Sequence, residues 1–88
     1  MRFEYDPRKS ESNKEKHGID FEEAQALWED ADRLEIPVRF QGEARFAVIG
    51  RYAERHWTAI ITYRRGDTRI ISVRRSRKKE VDLYEQED

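Results

Sequence analysis

Thr68-Arg69-Ile70-Ile71-Ser72-Val73-Arg74-Arg75-Ser76 is the stretch on which the fold turns. Ile70, Ile71 and Val73 are apolar and β-branched, and they stand among arginines. Such a run reads as a strand with apolar groups on both faces, and therefore as a central strand of its sheet. Strict alternation sends Arg69, Ile71, Val73 and Arg75 to one side and Ile70, Ser72 and Arg74 to the other. One side then supplies core, and the other a hydroxyl and a guanidinium near the strand end. A strand of that kind is a rigid base for an anion site. The competing reading is equally physical: solvated arginines whose alkyl stems cover apolar neighbours.

Working outward, Arg65-Gly66-Asp67 closes a hairpin from a preceding strand, His56–Arg64. Ala53–Arg55 turns back to Arg45–Tyr52, and Gln41-Gly42 turns back to Arg33–Phe40. Pro37 has no N–H for a ladder, which puts that strand at an edge. Downstream, Ser76 can cap a last helix with Val81 and Tyr84 on one side. The acidic tail Glu85–Asp88 is expected to fray. At the other end Phe3–Tyr5 reads as a short strand. Asp6-Pro7 is a helix start and Gly18 a helix stop, giving a helix over Pro7–His17. From Arg8 to His17 it has no apolar residue, so its place depends on a ligand, a partner, or polar contacts of Asn13 and His17. Asp20 and Glu23 have capping-box spacing at the head of a second helix, Phe21–Asp30. Phe21, Ala24, Leu27 and Trp28 share its inner face, expected to bury Leu27 and Trp28 against Ile61 or Ile71. The order β-α-α-β-β-β-β-α predicts one α+β domain over residues 1–88. Its antiparallel sheet carries two N-terminal helices on one face and a C-terminal helix, leaving a face free for binding.

The chain is small, with 88 residues, of which 42% are charged. A domain of this size buries about 60–65% of its unfolded surface, so its core is thin. The net charge of −1 hides an asymmetry. Residues 1–44 hold seven Lys/Arg against twelve Asp/Glu, and residues 45–88 hold eleven against seven. Within 45–79 the only acids are Glu54 and Asp67, and nine of the eleven bases are arginine. Local charge of this kind attracts a polyanion such as RNA or DNA, or else an acidic protein. With no cysteine there is no disulfide or thiolate metal site. His17 and His56 lack metal-ligand spacing, so no metal and no cofactor is expected. No apolar run suits a signal peptide or membrane helix, which makes the cytoplasm the expected location.

The residues F-E-Y-D-P-R-K-S-E-S-N-K-E-K-H-G-I-D-F-E-E-A (Phe3–Ala24) resemble the opening of BrnT-family toxins. That opening runs aromatic, Asp-Pro, Lys, Asn, Lys-His-Gly, then a Phe-x-Glu-Ala helix start. R-I-I-S-V-R-R-S (Arg69–Ser76) with Glu80 and Tyr84 resembles the family's closing stretch, with Val73 where Ala is usual and Ser76 where another small residue is common. The resemblance implies a RelE-like fold and a metal-independent ribonuclease toxin that inhibits translation and growth. It also implies a BrnA-like antitoxin partner, with operator DNA bound only through that antitoxin.

Cleavage of RNA without metal uses the substrate's own 2′-hydroxyl, so the protein must align it, neutralise the phosphorane and move two protons. Arg74, and secondarily Arg69, are candidate phosphate clamps. His17 is a candidate acid or base, the role imidazole fills near neutral pH, and Lys16 a candidate for charge neutralisation. Both rest on the resemblance and the unexplained polar helix. Glu80 is a base or orients an arginine, and Tyr84 donates a proton or stacks a base. Ser72, Arg75 and, if it points outward, Trp57 are candidate RNA contacts. Each has a structural alternative: His17 as helix cap, Glu80 as ion pair, Tyr84 as core. Arg74, His17, Lys16, Glu80 and Tyr84 are expected in one cleft. A non-catalytic nucleic-acid-binding module and a protein-interaction domain are the other functions open to such a chain.

Overall fold

The structure is a computed structural model, and residues 1–86 are described; the end of the expected acidic tail, Glu87 and Asp88, lies outside them. Five strands form one sheet: β1 (Phe3–Glu4), β2 (Leu34–Val38), β3 (Arg45–Tyr52), β4 (Arg55–Arg64) and β5 (Asp67–Arg75). Their order is β1-β5-β4-β3-β2. Four are antiparallel in sequence, as expected for strands joined by short turns. The sheet is nevertheless mixed, because β1 runs parallel to β5, with Phe3 opposite Thr68. A parallel pair needs a long crossover, and everything between β1 and β5 provides it. Pro37 sits on β2, an edge strand, where its missing N–H costs no ladder bond.

Helix α1 (Pro7–His17) has the bounds its punctuation dictates. The Asp6 carboxylate accepts the Arg8 N–H at 2.9 Å, and Gly18 stops the helix at φ +81°, donating its N–H to the Lys14 carbonyl. The second helix differs from expectation. It is a seven-residue 3₁₀ helix, Glu23–Glu29. Its capping box does form: Glu23 N–H donates to Asp20 Oδ1 at 2.7 Å, and Asp20 N–H to Glu23 Oε1 at 3.0 Å. Helix α2 (Lys78–Glu85) is not capped by Ser76. The residue before its first turn is Arg77, whose N–H donates to Glu80 Oε1 at 2.7 Å.

Ile19, Phe21, Ala24 and Leu27 pack on Val48, Trp57, Ala59, Ile61, Ile70 and Val73 to make the core. Trp28 is half-buried at its margin, edge-on to Phe3 with ring centroids 4.9 Å apart. Ile71 is not in this cluster, and the reason is a β-bulge. Ile61 pairs with Ile70, while Ile60 pairs with Ser72, so Ile71 is the extra residue on β5. The alternation read from the sequence is therefore reset there. Thr68 and Ile70, then Val73, face the core, and Arg69, Ser72 and Arg74 share the opposite face. Helix α2 approaches that opposite face through Glu80, which reaches Thr58 and Arg74, and it packs against β3. No face is left wholly open, in contrast to the layered arrangement expected.

The polar helix α1 is held by polar contacts. β1 covers β5 only as far as Arg69, which leaves the Val73 peptide groups without a strand partner on that side. Asn13 takes them: its Nδ2 donates to the Val73 carbonyl at 2.9 Å, and its Oδ1 accepts the Val73 N–H at 3.2 Å. Its second Nδ2 hydrogen goes to the Ile19 carbonyl at 2.8 Å, and Ser10 Oγ accepts the Phe21 N–H at 2.9 Å. A buried backbone group needs such a partner.

Candidate active site

The bulge gives β5 a polar face carrying Arg69, Ser72 and Arg74 together. Arg74 Nη1 and Nη2 donate to the two Glu80 oxygens, each at 2.8 Å. Glu80 Oε1 also accepts from Thr58 Oγ1 at 3.0 Å, and Thr58 shares a 2.8 Å hydrogen bond with Ser76 Oγ. The Arg74 hydrogen bonds, with those from the Arg77 N–H and Thr58, hold the Glu80 carboxyl at about 2, against an ordinary 4.5, although burial opposes this. The same carboxylate raises Arg74. Glu80 is thus ionised at neutral pH, a poor proton acceptor and a good fixed support. Arg74 gives a third N–H to the Arg75 carbonyl at 3.3 Å. A guanidinium has five donors, so two remain, Nε–H and one on Nη2. These form the side edge of the fork, the geometry that matches two phosphate oxygens.

Beside this face, at the end of α1, lies a shallow depression of about 240 Å³. Lys9, Lys16 and His17 line it from the helix, and Ile71 and Ser72 from β5. The Asn13 clamp on Val73 is what seats Lys16 and His17 there. Ser72 stands two residues from Arg74 on the same strand face, about 7 Å along it. The structure thus brings together Lys16, His17 and Ser72 in one depression, and Arg74 and Glu80 in an adjacent ion pair. The five expected residues do not line one cleft.

The other candidates fall elsewhere. Tyr84 is 8% exposed; its hydroxyl donates to Asp30 Oδ2 at 2.8 Å and its ring meets His56 edge-on. Burial and the Asp30 carboxylate push its hydroxyl up to about 12, which disfavours the phenolate and fits a core role. Trp57 does not point outward. It is 5% exposed in the core, and its Nε1 donates to the Tyr52 carbonyl at 3.0 Å. The correction follows from its β4 phase: Trp57, Ala59 and Ile61 share the core face. Arg69 is paired with Glu4 at 2.9 Å. Arg75 is exposed on the core-side face, its guanidinium 5.7 Å from the Trp57 ring centre. Sequence reasoning missed Thr58 and Ser76 as supports of Glu80; it offered polar contacts of Asn13 as one anchor of α1, without Val73 as their target. Thr58 is a hydroxyl in a run of core residues, which is the signal that was there to use.

The model of the family described as ribonuclease toxin, BrnT, of a type II toxin–antitoxin system matches residues 5–80. The chain belongs to this family. No curated protein matches it. The BrnT match spans both halves of the site, from α1 through β5 to Glu80. A BrnT chain is by family a ribonuclease toxin with an antitoxin protein as partner and RNA as target. No helix among the described residues is long and apolar enough to cross a membrane.

Proposed function

We propose that this BrnT-family chain is a RelE-like endoribonuclease that cuts RNA without a metal, through attack by the substrate's 2′-hydroxyl. Blocked translation and growth follow, and a BrnA-like antitoxin neutralises it; that antitoxin carries operator binding. The observation that supports this reading best is the preorganised Arg74. Glu80 fixes its plane, Thr58 and Ser76 fix Glu80, and the free side edge of the guanidinium is left for phosphate. Charge that develops on the phosphorane meets donors already in place, which is how fixed dipoles lower a barrier. Lys16 and His17 stand on the neighbouring depression, Lys16 to neutralise charge and His17 to move a proton. Glu80 orients Arg74 and does not serve as base. Tyr84 has a supporting part through Asp30.

The test is cleavage of RNA by purified protein in EDTA, with and without Arg74→Ala. The variant is expected to cut about 10²–10³ more slowly, the usual loss on removing one transition-state donor, while RNA still binds. A non-catalytic binding module would instead show weaker, salt-dependent binding and no cleavage by either protein. A protein-interaction domain would show neither effect.

A further inference from the structure

The strand arginines that stand out in the sequence are already paired: Arg69 with Glu4 and Arg74 with Glu80. Another set is not. Trp57 pairs with Arg75 at the end of the β4–β5 ladder. The ladder continues one step further, because the Ser76 N–H donates to the His56 carbonyl at 3.0 Å. The same register sets Arg77 opposite Arg55, and Arg77 is still extended (φ −82°, ψ 164°). Arg55 lies two residues from Trp57, and Arg77 two from Arg75, so alternation puts all four on one face. That is the core-side face, opposite to Arg74. Arg55, Arg75 and Arg77 are exposed, and among the described residues none has a carboxylate within ion-pair distance.

Like charges directly across a ladder repel and destabilise it. Arg55 and Arg77, placed opposite by extending the register, with Arg75 beside them, form an exposed cluster of like charge with no carboxylate among the described residues to offset it, and a bound anion would relieve their repulsion. Arginine is the side chain suited to forked phosphate contacts. We infer that Arg55, Arg75 and Arg77 form a second phosphate-binding platform, which holds the backbone of single-stranded RNA at the end of the sheet, away from the bond that is cut. Two anion sites on opposite faces of one strand end lead an RNA strand around that end. The platform grips the backbone, while Arg74 stabilises the charge at the bond that is cut. The inference rests on RNA being the target of this chain.

The probe is a fluorescently labelled single-stranded RNA with 2′-O-methyl groups, which removes the nucleophile and leaves binding to be read by anisotropy. Arg55→Ala, Arg75→Ala and Arg77→Ala are combined in one variant. For single strands, log affinity falls with log salt by about 0.7 per phosphate contact. The triple variant should therefore lose about 2 from the slope and bind at least about tenfold more weakly at low salt. The matching triple Lys variant, which keeps the charge, should retain most of the slope. On cleavable RNA the loss should appear in KM and not in kcat. A triple Ala variant that folds by circular dichroism, yet keeps the parent's slope and affinity, overturns the platform while leaving the nuclease reading intact. A parent that binds with a steep slope, flattened in the triple variant, but never cuts RNA supports the platform and removes the nuclease. A parent that fails to bind the RNA overturns the platform directly.

Discussion

Asn13 shows how much one side chain carries here. All of its strong bonds go to backbone that would otherwise be unpaired: Val73 N–H, Val73 carbonyl and Ile19 carbonyl. Asn13→Ala leaves these groups buried without partners, and an orphaned buried group costs about 1–3 kcal/mol. The expected loss is roughly 2–4 kcal/mol, read from the urea midpoint at constant slope. Asn13→Asp should be no better, since a carboxylate cannot donate to the two carbonyls. Glu80 makes a separate, pH-dependent contribution. Its folded carboxyl lies at about 2 against an ordinary 4.5, so on acidification the unfolded chain takes up the proton first. The stabilisation is complete above about pH 4.5 and disappears as pH falls toward 2. Urea melts at pH 7 and pH 3 should show a larger drop for the parent than for Glu80→Gln; equal drops would remove the ion pair from the account.

Among elements, the β3–β4 turn is the one most open to improvement. Ala53 and Glu54 both have positive φ, 53° and 63°, as a two-residue primed turn requires. A left-handed conformation costs an L-residue about 1–2 kcal/mol, partly offset on changing to Gly by its unfolded-state entropy. Glu54→Gly should thus stabilise by about 0.5–1 kcal/mol, seen as a higher thermal midpoint. The neighbouring hairpin already has Gly66 at φ +85°. Its position was legible in the sequence for that reason, as α1 was from Asp6-Pro7 and Gly18. The 3₁₀ winding of Glu23–Glu29 was not legible, since both helix types set residues three apart on one side. Nor was the bulge, because no Gly or Pro marks Ile71. That error put Arg69 and Arg74 on opposite faces and left Trp57's direction open. Arg74 stood out because strand position and family pattern agreed, and its ion pair with Glu80 is one of the two roles that the sequence left open for Glu80. Polar contacts of Asn13 were one expected anchor of α1, but Val73 as their target was not legible, because that gap exists only where β1 stops after two residues.

For the molecule as a whole, the two oppositely charged halves of the chain are folded onto one another. Glu4 from the acidic half neutralises Arg69 of the basic half, and Lys14–Glu23 ties α1 to the 3₁₀ helix. Exposed pairs such as the latter add little, so the thin core carries most of the stability. A partner that binds only the folded chain then has a large effect by mass action. With a BrnA-like antitoxin at a hundred times its Kd, stability should rise by about 2.7 kcal/mol. A thermal midpoint that stays put on saturation would count against that partner. Without the antitoxin, the chain is expected to bind operator DNA poorly.

The extra residue at Ile71 can also be stated as parity. Before it, the even-numbered side chains of β5 are the inward ones, Thr68 and Ile70; after it, the odd-numbered ones are, beginning with Val73. Pairing β5 in strict alternation with Ile71 included, and no bulge, would give a more regular ladder and an unbroken count. That unbroken alternation would turn the Arg74 guanidinium into the core and Val73 to the opposite face, whereas deleting Ile71 would leave both where they are. On the proposed function the strand without its bulge would lose its phosphate clamp, so for this chain a design procedure that rewards regular pairing through Ile71 would select against activity.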